Sequence, residues 1–147
     1  MKQMRISLTI SLKRALYIIA HFLVTIQLNS CFLKQDRTTT VYGTITDQSG
    51  APIDSILVIM QGAKSMTYYE TLHQVYTDED GKYELLLDLA KKYHSIDIGM
   101  PFWLDENPKY VKLFKINTIH KDDNRTNNCC KAIVGKKTKY DFQLIRR

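Results

Sequence analysis

His73-Gln74-Val75-Tyr76-Thr77-Asp78-Glu79-Asp80-Gly81-Lys82-Tyr83-Glu84-Leu85-Leu86-Leu87 is the stretch that decides the fold. Asp80-Gly81 is a strong short-range hairpin signal, because such turns need positive φ and glycine adopts it without a Cβ clash. After it, Tyr83, Leu85 and Leu87 alternate along the chain and so share one face of a strand. Upstream, Thr40-Val41-Tyr42-Gly43-Thr44-Ile45-Thr46 alternates in the same way, with Val41 and Ile45 facing together. Asp47-Gln48-Ser49-Gly50-Ala51-Pro52 is a turn, Gly50 supplying positive φ and Pro52 a fixed one. Ser55 to Gln61 is almost wholly apolar, as expected of a strand covered on both faces, and Gly62 to Tyr69 is a polar loop. Ser95–Gly99, Tyr110–Ile119 and Thr138–Ile145 complete seven runs, the fourth passing into a turn before Tyr93. No segment after residue 31 holds a helical period. Seven short strands divided by turns describe an all-β sandwich.

The first thirty residues are a different kind of sequence. Lys2, Arg5, Lys13 and Arg14 precede an apolar run from Ala15 to Leu28, interrupted by His21, Thr25 and Gln27. A membrane-spanning helix needs about twenty apolar residues to cross roughly 30 Å of hydrocarbon, so this run is short for one. It ends at Leu28-Asn29-Ser30-Cys31, which resembles the lipobox of bacterial lipoproteins at Leu28, Ser30 and Cys31 and departs from it at Asn29. What the resemblance implies is a thioether to lipid at Cys31, cleavage before it, and acylation of the new amino terminus. Several acyl chains hold where a single one does not. The expected organisation is a signal peptide over residues 1–30, a tether over 31–38 and one domain over 39–147. The alternatives are an uncleaved amino-terminal membrane helix and an ordinary signal with an incidental cysteine. By resemblance to lipoprotein sorting, Phe32 rather than aspartate after Cys31 implies the outer membrane, with the face left open.

Charge removes one class of function. The chain carries +6, but without the leader 17 basic groups face 15 acidic ones, leaving +2. That gives no electrostatic case for nucleic acid, which needs a basic face to displace counterions. The remainder is uneven, with 6 basic and 12 acidic residues over 31–108 but 11 and 3 over 109–147. Solvated strand faces account for this, and a basic docking edge of Lys109, Lys112, Lys115, Lys136, Lys137 and Lys139 is the sharper alternative.

Val41-Tyr42-Gly43-Thr44-Ile45-Thr46-Asp47, Gly50-Ala51-Pro52-Ile53, Val58 and Thr77 to Leu85 resemble the carboxypeptidase regulatory-like domain, a transthyretin-like sandwich. The resemblance covers roughly residues 39–101 and, loosely, the last strand. It implies a seven-stranded antiparallel Greek-key β-sandwich of the transthyretin (prealbumin) type. Domains of this family accompany peptidases, outer-membrane transporters and surface lipoproteins, especially in Bacteroidetes-like bacteria, as spacers or docking modules. Fold alone does not confer function. The expectation is therefore a non-enzymatic cell-envelope module, tied to the membrane by lipid, with envelope proteins or glycans as partners.

The candidate sites are few. Cys129-Cys130 would be the only remaining thiols in an oxidising compartment, and the choices are a vicinal disulfide stiffening the Asn127-Asn128 turn, two thiols, or a crosslink to another chain. A cysteine hydrolase would need one of them beside an imidazole, and His73, His94 and His120 are scattered. Asp78-Glu79-Asp80-Gly81 has a calcium-like carboxylate cluster but reads first as a turn, and no His or Cys pair has zinc-ligand spacing. No catalytic residue, metal or cofactor is expected. In Met100-Pro101-Phe102-Trp103-Leu104-Asp105-Glu106-Asn107-Pro108-Lys109-Tyr110, the rings of Phe102, Trp103 and Tyr110 are candidates for stacking on sugar or for a protein partner. The simpler view has Phe102 and Trp103 closing the end of the core. Asp54-Ser55-Ile56 resembles a short bacterial O-glycosylation acceptor, and Asn124-Arg125-Thr126 matches the N-glycosylation sequon.

Overall fold

The computed structural model describes residues 14, 16–19, 36–65 and 68–147. The chain divides into two compact units, Met1–Gln35 and Asp36–Arg147. In the first, Arg14 and residues 16–19 are helical and exposed, and Cys31 lies outside the described residues. No helix among the described residues is long and apolar enough to cross a membrane.

The second unit is mostly strand. In chain order it has β1 (Thr38–Thr46), β2 (Leu57–Ala63), β3 (Tyr69–Tyr76), β4 (Lys82–Asp88), β5 (Ser95–Gly99), the helix α1 (Pro108–Leu113), β6 (Phe114–Lys121), β7 (Asn124–Arg125), β8 (Lys131–Ala132) and β9 (Lys137–Arg146). One sheet runs β4-β1-β9-β6-β7 and the other β3-β2-β5-β8. Alternation sets their buried faces. Thr39, Val41 and Ile45 of β1 and Thr138, Tyr140, Phe142 and Leu144 of β9 all turn inward. They meet Val58, Met60, Ile96 and Ile98 of the other sheet in a single core. β2 is buried on both faces from Leu57 to Met60, as its unbroken apolar run requires.

The structure corrects the sequence in five places. The Asp80-Gly81 turn forms, but the strands on either side of it, β3 and β4, belong to different sheets, so it crosses the sandwich and closes no hairpin. Nine strands occur among the described residues, β7 and β8 being two-residue additions. The strands are not all antiparallel, since β1 and β9 pair in parallel, Thr40 opposite Lys137 and Ile45 opposite Phe142. The first part of the expected sixth strand is helical, because Pro108 presets φ in the first turn and Tyr110 is buried as the helix's anchor. β3 starts at Tyr69, inside the expected loop. A bulge opposite Met60 and Gln61 lets both Leu72 and Val75 pack on the core, which strict period-two alternation would forbid.

Strand direction gives the domain two distinct ends. β1 starts near Asp36, and its nine residues span roughly 30 Å. β9 runs parallel to it, so Asp36 and Arg147 mark opposite ends. The turn at 77–82, the 100–113 segment and Arg147 share one end, while the 88–94 loop and the 121–137 segment share the other.

Candidate functional site

The point where the chain enters the domain is tightly held. Arg37 donates from Nε to the Leu89 carbonyl (2.9 Å) and from Nη2 to the Tyr93 carbonyl (2.7 Å). The Arg37 carbonyl accepts from the Leu89 N–H (3.3 Å), so the 88–94 loop is stapled to the incoming strand. On the other flank Gly135 donates its N–H to Thr39 Oγ1 (2.9 Å). A Cβ on Gly135 would lie 2.4 Å from the Asp36 carbonyl oxygen, and its φ is +74°, so the turn sits against the incoming chain and glycine is required.

The opposite end carries the aromatic loop. Asn107, fully buried at the N-cap position of α1, makes no capping hydrogen bond with its side chain. Its Oδ1 accepts from Leu57 N–H (3.1 Å), and its Nδ2 donates to the carbonyls of Leu57 and Pro101 (3.2 Å each). β5 pairs with β2 only as far as Ile59, so the Asn107 amide serves Leu57 as a neighbouring strand would. Tyr76 adds a hydrogen bond from its hydroxyl to the Glu106 carbonyl (2.7 Å), and Trp103 O accepts from Asn107 N–H (2.7 Å). The braced loop leaves Phe102 63%, Trp103 46% and Leu104 50% exposed, so neither ring closes the core. Tyr110 does the reverse. It is 1% exposed and belongs to the core, touching Phe102 with ring centroids 5.2 Å apart. The exposed aromatic pair is therefore Phe102 and Trp103, with the Arg147 guanidinium 5.7 Å over the Phe102 ring. Nothing local in the sequence marks Asn107 as the partner of Leu57, which lies 50 residues away.

Cys129 and Cys130 have their sulfurs in contact, across a cis peptide bond. Cys129 is exposed and Cys130 is buried, with its carbonyl accepting from Ile98 N–H (3.0 Å). Among the described residues no hydrogen bond joins either cysteine to His73, His94 or His120, and no group of three His, Cys, Asp or Glu converges on a metal position. Asp78 of the acidic turn is occupied internally, its Oδ1 accepting from Asp80 N–H (3.0 Å) and Lys82 N–H (2.8 Å). A depression of about 570 Å³ beside β4 is lined by Tyr42, Thr44, Tyr76, Lys82, Glu84 and Lys137, among others. Lys82 there pairs with Asp80 at 2.8 Å, Lys139 with Asp123 at 2.7 Å, and Lys137 lies over the Tyr42 ring at 4.4 Å.

The six lysines of the supposed basic edge do not form one. Lys109, Lys112 and Lys115 lie at the start of the α1–β6 segment and Lys136, Lys137 and Lys139 at the start of the antiparallel β9, hence at opposite ends. Lys109 bridges Asp54 at 2.6 Å. That contact, with the Ser55 hydroxyl second, holds the Asp54 carboxyl down to about 2. Ser55 is exposed, at φ +60°, with its hydroxyl on Asp54 (2.7 Å), and Asn124 is exposed on β7. Asp47, Glu70 and Asp80 are likewise lowered, chiefly by Ser49, Lys64 and Lys82. Each lowered carboxyl adds stability that is whole above the unfolded pKa of about 4 and is lost as pH falls from there through the folded value. Thermal melts are thus expected to hold level from neutrality to about pH 5, then fall toward pH 2, with a shallower fall in Asp54→Asn. An identical acid limb in that variant would count against the Lys109 contact.

No protein-family model and no curated protein matches the chain. Among solved structures it is similar to a 9R-lipoxygenase from Cyanothece, at 13% identity and TM-score 0.39, over 73% of this chain and 16% of that one. It is also similar to the dioxygenase domain of a dioxygenase carbohydrate-binding protein fusion from Streptomyces, at 16% identity and TM-score 0.38, over 78% and 83%. A third is 3-chlorocatechol 1,2-dioxygenase from Rhodococcus opacus, at 15% identity and TM-score 0.37, over 79% and 62%. Likeness at this level carries no argument about activity.

Proposed function

We propose that this chain is a non-enzymatic lipoprotein of the outer membrane, lipidated at Cys31, whose β-sandwich docks an envelope partner through the loop at its far end. The observation that carries the proposal is the braced 101–107 loop, which holds Phe102, Trp103 and Leu104 in solvent at the end opposite Asp36. Exposed aromatics on a rigid support are the usual anchors of protein interfaces. We assign the domain to the carboxypeptidase regulatory-like, transthyretin-type Greek-key sandwiches, with β7 and β8 as additions to seven longer strands. Cys129 and Cys130 are assigned as a vicinal disulfide supporting β8.

Mass spectrometry of the amino-terminal peptide from membranes tests the anchor. The expected species begins at an acylated Cys31, while an intact leader with an unmodified thiol would remove the assignment. The same digest should show the Cys129-Cys130 peptide two hydrogen atoms lighter than its reduced form. For the tip, a photo-crosslinker at Leu104 is expected to label one discrete envelope protein, and Trp103→Ala to cut the yield at least tenfold. Labelling that is diffuse, or indifferent to Trp103, would end the docking proposal. Sugar stacking is the second reading, favoured by the same two exposed rings. Binding to a glycan array that Trp103→Ala abolishes would establish it, and a featureless array would remove it.

A further inference from the structure

We infer that the end of the sandwich where the chain enters is itself a bilayer-contact surface, resting on anionic phospholipid headgroups through Lys91, Lys92, Lys131 and Lys136 with Ile133 between them. The inference rests on the lipid anchor at Cys31 and concerns a surface distinct from the aromatic tip.

Three observations carry it. The first is reach. Asp36 lies five residues beyond Cys31, and five residues extend at most about 18 Å, so a lipid at Cys31 keeps this end of the domain close to the membrane. The second is rigidity. Arg37 grips the carbonyls of Leu89 and Tyr93, which fixes the loop bearing Lys91 and Lys92 beside the incoming chain. Gly135 is fitted against Asp36, and the Lys136 N–H donates to the Ile133 carbonyl (3.1 Å), which fixes Lys136 and the 60%-exposed Ile133 on the other flank. The third is charge. The segments at this end, residues 36–38, 64–65, 68–70, 88–94 and 121–137, carry nine Lys and Arg against five acidic residues, one of them Glu70 in an ion pair with Lys64. Those at the far end, residues 46–56, 77–82, 100–113 and 146–147, carry five against seven acidic residues. Folding thus converts a lengthwise imbalance in the sequence into a polarity between the two ends.

Among the described residues no ion pair engages Lys91, Lys92, Lys131 or Lys136, and all four are exposed. The ammonium of Lys92 lies over the Tyr93 ring, 4.9 Å from its centre, a position that leaves a face for phosphate. Each such cation close to an anionic leaflet strengthens attachment about fivefold. The acidic far end, roughly 30 Å away, stands beyond a Debye length of about 8 Å and does not oppose this. The tether becomes a short leash and the Trp103 loop points away from the lipid.

The test uses the full lipidated protein in vesicles of phosphatidylcholine alone or with about a third phosphatidylglycerol, a fraction that sets the surface potential. Lysine acetylation is mapped by mass spectrometry. On anionic vesicles at low salt, Lys91, Lys92, Lys131 and Lys136 are expected to react at least fivefold more slowly than on phosphatidylcholine, while Lys112 and Lys115 are unchanged. The protection is expected to vanish near 1 M salt, where the Debye length is about 3 Å. Trp103, the single tryptophan, is expected to escape quenching by brominated lipid. The double variant Lys91→Glu/Lys92→Glu should lose the protection at Lys131 and Lys136 while remaining on the vesicles. Protein retained by the vesicles with equal lysine reactivity on both compositions, or with Trp103 quenched, overturns the contact surface alone. Protein that leaves the vesicles overturns the anchor and the contact surface together.

Discussion

Gly43→Ala is expected to destabilise the domain by about 4 kcal/mol or more, the upper range for a single substitution, and Gly43→Val by more still. A Cβ at Gly43 would lie 1.8 Å from the Tyr140 carbonyl oxygen and 2.6 Å from its carbon. Both obstacles are backbone, so no side chain can swing aside; β1 and β9 must separate. The site is costly to open. At this point of the parallel pair the ladder is interrupted, and side chains serve the backbone instead. Tyr83 donates its hydroxyl to the Tyr140 carbonyl (2.7 Å), and Asp141 Oδ1 accepts from both the N–H (2.8 Å) and the hydroxyl (2.9 Å) of Thr44. Moving the strands apart strands these groups in or beside the core, at about 1–3 kcal/mol for each one buried without a partner. Against a total stability of roughly 5–15 kcal/mol, that is a large fraction. Gly99→Ala is the matched control, since a Cβ there meets nothing within 4 Å. Its urea midpoint should stay near that of the parent. Equal midpoints for Gly43→Ala and Gly99→Ala would refute the close approach of β1 to β9.

How much of this was legible in the sequence follows from how local each cause is. The acidic turn was, because its signal and its structure occupy the same residues; that it carries the chain from one sheet to the other, and closes no hairpin, was not, because strand pairing is decided elsewhere. Asp78 closes the turn, and Gly81 takes φ +70° where a Cβ would meet the Ile45 carbonyl oxygen at 2.5 Å. The alternation in β1 and β9 was, because a strand with one buried face repeats every second residue. The first half of β3 was not. Its bulge places Leu72 and Val75 on the same core three residues apart and so erases the period. The parallel pairing of the first and last strands joins positions some hundred residues apart and leaves no local mark. At the tip, the sequence identified the aromatic run but could not say which rings were covered. Tyr110 is drawn inward by α1, a six-residue helix too short for periodicity to announce. The entry-end charge pattern was visible only as a difference between two halves of the chain, and strand order decided where those charges went.

The second large effect is at Asn107, where alanine is expected to cost about 3 kcal/mol or more, since three backbone groups lose their partners at about 1–3 kcal/mol each. These are the N–H and carbonyl of Leu57 and the carbonyl of Pro101. Asn107 is completely buried, so water does not replace the amide without opening the loop. The damage should be visible locally before it is global, with faster amide exchange over 100–107 and a red-shifted Trp103 emission. Asn107→Asp separates shape from hydrogen bonding. It keeps the outline and the acceptor facing Leu57 N–H, but sets a carboxylate against two carbonyl oxygens. Burial and those carbonyls raise its pKa, so the variant gains relative stability as pH falls and the protonated acid again donates. Asp47, Asp54, Glu70 and Asp80 have lowered values and lose their contributions in acid, but they are common to parent and variant and cancel in the difference between them. The stability difference between parent and Asn107→Asp should therefore narrow from pH 7 to pH 4. A constant difference would mean that the side chain acts by filling space, and that the loop carrying Phe102 and Trp103 is not held by the strand-like pairing with Leu57.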